Sequence, residues 1–163
     1  MSAVFSPCGT YRYRLERPGD DARAGAPALA FVMLNPSTAD AYRDDPTIRR
    51  VRLLARGFGY GPVVVANLYG LRSADPRALA AHPDPVGPET PAHLAAIAAQ
   101  VRDVVCAWGN HAEPARARAA LALLAGAGAR LWHLGLTKSG APRHPLYVPR
   151  DVPLTMLVDE SRG

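Results

Sequence analysis

Four short, almost unbroken apolar runs recur along the chain: residues 28–34, 62–68, 103–108 and 129–134. A strand with one wet face alternates apolar and polar side chains, whereas a strand covered on both faces has no reason to. Helical patterns separate the runs. Asp45 and Pro46 suit a helix start, an Asp side chain capping free N–H groups and a Pro fitting the first turn. Ile48, Val51, Leu54, Ala55 and Phe58 then follow at helical spacing, with Arg49, Arg50, Arg52 and Arg56 on the other faces, until the glycines at 57, 59 and 61 stop the pattern. A short helix is expected near Arg77 to Ala81, another over 89–101 with Leu94, Ile97 and Val101 inward, and a fourth from about Pro114 to Ala125. Helical crossovers between strands imply parallel pairing with both faces covered. The pattern therefore predicts an α/β fold: a three-layer sandwich with a four-stranded, mainly parallel sheet plus edge strands. Tyr11 to Glu16 alternates like one edge strand, and Leu154 to Val158 is a candidate for another. Pro18 to Pro27 reads as a surface loop and His82 to Pro88 as a connector. A length of 163 residues suits one domain, with its core at about residues 10–152.

In such a sheet, ligands bind at the carboxyl ends of the strands, where residues 35–40, 67–73, 109–111 and 137–144 should meet. Asn35, ahead of Pro36 and Ser37, either ends its strand in an Asx-turn or belongs to a site. Asp45 is assigned to the helix cap and Asp44 to a solvated loop, with Asp40 held in reserve as a base. Asn67 closes an apolar strand, where an unpaired carboxamide costs about 1–3 kcal/mol, so it requires a partner. Loop backbone and the edge of a nucleobase both qualify, since an amide presents adjacent donor and acceptor. Thr137, Lys138, Ser139, Arg143 and His144 fall within eight residues, a composition suited to holding a phosphate or a developing oxyanion. Asn110 and His111 are weaker candidates on the third loop. Tyr42, Phe58 and Tyr69 are read as core or as platforms for stacking a base. His82 and His93 are read as surface residues and His133 as strand packing.

The exclusions are broad. No apolar run approaches the roughly 20 residues needed to span a bilayer, and the start of the chain lacks the apolar core of a signal peptide. A cytoplasmic protein, monomeric by default and without a membrane partner, is expected. Cys8 and Cys106 cannot assemble a zinc ribbon or iron–sulfur site, so neither metal nor cofactor is expected; Cys106 is read as core. The formal charge of +5 favours anionic partners, nucleic acid or phosphorylated small molecules. All but one of the 19 basic residues are Arg, Lys138 being the exception.

The motifs Met-Leu-Asn-Pro-Ser-Thr-Ala-Asp (33–40), Asp-Asp-Pro-Thr-Ile-Arg-Arg (44–50), Asn-Leu-Tyr (67–69), Ala-Trp-Gly-Asn-His (107–111) and Thr-Lys-Ser-Gly-Ala-Pro-Arg-His-Pro-Leu-Tyr (137–147) resemble those of a bacterial and phage family of uncharacterised domains. More distantly, Asn35-Pro36 after the first of these strands, Asn67 at the end of the next and His144-Pro145 after the last resemble the base-pocket motifs of the uracil-DNA glycosylase superfamily. That resemblance implies a uracil-DNA-glycosylase-like fold and cleavage of an N-glycosidic bond, with DNA a more natural partner than RNA. It gives Asn35 the orienting of water, Asn67 the reading of the base edge and His144 the stabilising of the departing base, with Lys138 and Arg143 on flanking phosphates. Met33-Leu34 and Ser37 stand where that superfamily commonly has glycines, Leu146 follows His144-Pro145 where a small polar residue is usual, and the last loop is short for a DNA-intercalating wedge. A free nucleotide, a nucleoside or another phosphorylated small molecule is the alternative ligand.

Overall fold

The computed structural model describes residues 1–20 and 25–157. Its elements in chain order are β1 (Ser2–Phe5), β2 (Arg12–Arg17), β3 (Leu29–Met33), α1 (Pro46–Gly57), β4 (Val63–Asn67), α2 (Arg77–Ala81), α3 (Thr90–Gln100), β5 (Asp103–Cys106), α4 (Pro114–Gly126), β6 (Arg130–His133) and β7 (Thr155–Met156). Single 3-10 turns occupy Gly109–His111 and Pro145–Tyr147.

The strands form one mixed seven-stranded sheet of order β1-β2-β4-β3-β5-β6-β7. Its centre is the parallel set β4-β3-β5-β6, with β2, β1 and β7 added antiparallel. The expectation of a four-stranded sheet is thereby corrected. Residues 11–16 do not form an edge: β1 pairs with the outer side of β2, and β1, half-exposed in alternation, is the true edge. The fourth run is also less buried than its apolar composition implied, because only two residues of β7 cover its flank. Val158, the last residue of the expected final strand, lies outside the described residues, as do residues 21–24 of the expected surface loop.

Side-chain parity explains why the central runs are apolar throughout. Ala30, Val32, Val64, Ala66, Val104 and Cys106 pack toward Leu94 and Ile97 of α3 and Leu124 of α4. Their neighbours Leu29, Phe31, Met33, Val63, Val65 and Val105 point the other way, onto Ile48, Val51 and Leu54 of α1. Each strand therefore needs apolar residues at every position. Asp45 caps α1 by accepting the Ile48 N–H at 2.9 Å, with Pro46 in the first turn. Burial pushes the Cys106 thiol up to about 12, which keeps it inert. None of the helices among the described residues is long and apolar enough to cross a membrane.

At the amino end of β5, Asp103 is 5% exposed and collects donors from three neighbours. Arg130 Nε lies at 2.8 Å, Trp132 Nε1 at 3.1 Å and the Tyr60 hydroxyl at 3.0 Å. Burial opposes the carboxylate charge, but these donors outweigh it and hold the pKa below the usual range. The half-exposed Arg130 can rehydrate if its partner is lost, whereas the indole and phenol donors cannot do so fully. Asp103→Ala is expected to cost about 1–3 kcal/mol, read as an earlier midpoint in urea.

Candidate functional site

The carboxyl ends of the parallel strands surround a cleft of about 620 Å³, within the range of small-molecule sites. Asn35, Pro36 and Ser37 line it from the loop after β3, Asn67 from the end of β4, Asn110 and His111 from the loop after β5, and Thr137, Arg143 and His144 from the loop after β6. The three residues singled out as a potential pocket, Asn35, Asn67 and His144, thus share one cavity.

Asn67 stands opposite Met33 in the β3–β4 register. The backbone beyond it is fully engaged, Leu68 N–H donating to Met33 C=O at 2.9 Å and Tyr69 N–H to Leu34 C=O at 3.0 Å. Its side chain is not. Asn67 is 3% exposed, and neither Nδ2 nor Oδ1 has a hydrogen-bond partner among the described residues. Of the two partners open to it, loop backbone is therefore not the one used. An amide donor and acceptor, both unspent, sit on the cleft wall.

Asn35 is half spent. Its Nδ2 donates to Ser73 C=O at 2.9 Å, with longer contacts to Pro36 C=O at 3.2 Å and Leu71 C=O at 3.3 Å. These bonds fix the amide so that Oδ1 is the free group, an acceptor suited to a water or a hydroxyl. They also brace the first loop against the second, which Ser73 N–H reinforces by donating to Pro36 C=O at 2.9 Å.

The His144 Nδ1 accepts the Leu146 N–H at 3.2 Å and so caps the turn over residues 145–147. With Nδ1 an acceptor, the neutral ring carries its proton on Nε2, the nitrogen left for the cleft. Burial pushes the His144 pKa down, while the negative charge of Asp45 pulls the other way and loses. The imidazole is a neutral donor at neutral pH. The loop that carries it is tied to its neighbour by Gly109 N–H, which donates to Pro142 C=O at 2.8 Å. Gly109 has φ +74°, a conformation other residues rarely adopt, and a Cβ there would stand 3.8 Å from that of His144.

The expected phosphate cradle is only partly assembled. Thr137 and Ser139 donate their hydroxyls to Asn110 Oδ1 at 2.7 and 2.8 Å, fastening the third loop to the fourth. Thr137 and Arg143 reach the cleft; Ser139 and the exposed Lys138 do not line it. Asp40 is also off the cleft. Its carboxylate accepts the Tyr42 and Arg43 N–H groups, both at 2.8 Å, and the Tyr42 bond leads in holding its pKa low. Asp45, assigned only to the helix cap, is the carboxylate that faces the cavity. Asp44 is no solvated loop charge, since Arg17 and Arg52 bond it at 2.6 and 2.9 Å. Tyr69 is core: it is 5% exposed and its hydroxyl accepts the Glu113 N–H at 3.1 Å.

Trp108 and Arg12 are among the lining residues that sequence patterns do not point to. Trp108 reads as the end of an apolar strand, yet it lies on the wall. Arg12 reads as the polar half of an alternating edge strand, yet it is 2% exposed and faces the cavity. The signal that would have found it is the apolar residue pattern of β1, which moves residues 12–17 inside the sheet.

The depressed pKa of His144 has a measurable consequence. The unfolded chain binds a proton at the ordinary histidine value of 6.5 and the folded chain only below it, so stability falls as pH drops through that window. His133, lowered first by burial, adds to the same slope. Replacing His144 with Asn is expected to flatten, without abolishing, the loss of melting temperature below pH 6.5.

Fold and site together define an α/β protein with a preformed cleft at the carboxyl edge of its parallel strands. The chain belongs to the DUF1643 family, proteins of unknown function, whose sequence pattern matches residues 12–146. That span runs from β2 through His144, so it takes in all four loops of the cleft. None of the curated proteins and none of the solved structures matches the chain. Among the described residues, no three His, Cys, Asp or Glu side chains group as metal ligands.

Proposed function

We propose that the cleft receives a nucleobase and that the protein recognises that base in nucleic acid and cleaves its N-glycosidic bond. The observation that carries this reading is the buried, unpartnered carboxamide of Asn67. An adjacent donor and acceptor, neither satisfied by the protein, match the paired donor and acceptor along a base edge. The order of Asn35, Asn67 and His144 along the chain, on the first, second and last of the four loops, supports a uracil-DNA-glycosylase-like arrangement.

The chemistry asks little of the protein. The bond from the sugar C1′ to the base nitrogen breaks with its electron pair leaving on the base, and His144 Nε2–H donates to the atom where that charge gathers. A water accepted by Asn35 Oδ1 adds its oxygen to C1′, and the proton it loses neutralises the departed base. Substrate and water thus become free base and a sugar hydroxyl. A base in duplex DNA would have to be flipped out to reach Asn67, with Arg143 and Lys138 toward the strand phosphates.

Incubation with oligonucleotides carrying uracil, hypoxanthine and other altered bases, followed by cleavage at abasic sites, tests the reading. Abasic product from one of them is expected, with DNA affinity that falls steeply with salt. No product and no DNA binding would overturn it. A thermal shift with free nucleotides but none with DNA would select a small-molecule nucleotide enzyme or binding protein instead.

A further inference from the structure

Strand β2 buries two arginines, and the fold treats them differently. Every guanidinium nitrogen of Arg17 is bonded: Nε donates to Asp44 at 2.6 Å, the Nη1 nitrogen to Glu16 C=O at 3.0 Å, and the Nη2 nitrogen to Asp40 and Arg43 C=O. The side chain of Arg12, a residue 2% exposed, makes one protein bond, from Nη1 to Ala39 C=O at 2.9 Å, and its buried Nε has no partner. Among the described residues no carboxylate pairs with it. Asp45 is the acidic group near enough to favour its charge, but the Asp45 oxygens are engaged by Ile48 N–H at 2.9 Å and Ala39 N–H at 3.4 Å. A buried guanidinium with one neutral acceptor is far from satisfied. Burial lowers its pKa to about 10, so it remains a cation at neutral pH. Arg12 and Asn67 line the same cleft.

We infer that Arg12 is an anion subsite of the cleft, taking a phosphate of the same nucleotide whose base Asn67 reads. The inference rests on the base-reading role proposed for Asn67. A planar guanidinium with free N–H groups suits phosphate oxygens, and its depth sets it apart from the rim residue Arg143. Arg12 therefore selects a phosphorylated ligand over a bare nucleoside, whether that phosphate comes from a free mononucleotide or from a strand.

Titration calorimetry and thermal shift with 2′-deoxynucleosides, their 5′- and 3′-monophosphates, short oligonucleotides and inorganic phosphate test it on the wild type, Arg12→Met and Arg12→Lys. The wild type is expected to bind a monophosphate about ten- to a hundredfold more tightly than the matching nucleoside. Arg12→Met should lose that preference but keep the nucleoside affinity, and Arg12→Lys should retain part of it. Free Arg12→Met should melt no lower than the wild type, since it removes a buried charge with one neutral partner. A gain seen with mononucleotides alone names a free nucleotide as the source, and an equal gain with oligonucleotides names a strand. Equal binding of nucleoside and monophosphate by the wild type, or an unchanged preference in Arg12→Met, would overturn the subsite. So would a lower melting point or misfolding of Arg12→Met, because the residue would then be structural. Failure of the base reading is separable: Asn67→Leu would keep its nucleoside affinity. If no nucleoside or nucleotide binds, a shift with inorganic phosphate that Arg12→Met loses supports the subsite, and no such shift refutes it.

Discussion

Asn67→Leu is expected to raise the melting temperature of the free protein while abolishing ligand binding. The two side chains are close in shape, so the change leaves little cavity and removes a carboxamide whose Nδ2 and Oδ1 are buried without partners. Relief of that desolvation is of order 1–3 kcal/mol. For a chain of this size each kcal/mol shifts the midpoint by about 2–4 °C, so a gain of several degrees should show in calorimetry. Stabilisation with loss of function is the mark of a residue kept for a ligand. A structural role predicts the reverse, a lower midpoint, because replacing a bonded carboxamide strands its partners.

His144→Asn is expected to lower turnover about 10²- to 10³-fold, the usual cost of removing one donor from a developing anion. Asn is chosen because its short carbonyl can still accept the Leu146 N–H that His144 Nδ1 now accepts at 3.2 Å, so the 145–147 turn survives while the donor in the cleft is withdrawn. The loss should fall on kcat with little change in KM, since the donor acts on charge that appears only as the bond breaks. The neutral tautomer adds a pH signature. Burial holds the imidazole below its ordinary value of 6.5, so wild-type turnover should be level from there upward and fall on the acid side. A rate that declines above pH 6.5 would make the imidazolium the working form.

Much of this architecture was legible because burial on both faces leaves a mark that alternation cannot imitate. Phe31, Val65 and Val105 face α1 while Val32, Ala66 and Cys106 face α3 and α4, and the four apolar runs betray both coverings at once. The convergence of Asn35, Asn67 and His144 followed from strand direction alone. Individual side chains were harder. Lys138 was conspicuous for its rarity, yet rarity says nothing about direction, and it is exposed outside the cleft. Asp40 looked like a spare base, but backbone N–H groups two and three residues on claim its carboxylate. Tyr69 sits where a stacking residue would, and its ring fills the α3–α4 core instead. Arg12 was hidden because residues 11–16 alternate as an edge strand would, although β1 pairs outside them, and because its guanidinium meets Ala39 C=O on a distant loop, a contact that no local pattern records.

If Asn67 reads a base edge, its buried carboxamide must change hydrogen-bonding state when a base arrives. Its side-chain amide resonance, assigned in ¹⁵N-labelled protein by its absence from Asn67→Leu, reports on that directly. On addition of free nucleobases, nucleosides and nucleotides in turn, at least one is expected to move this resonance strongly and saturably, as a newly formed hydrogen bond requires. A resonance that stays in place while a member of the series binds elsewhere in the cleft, or while none binds at all, would rule out base reading by Asn67.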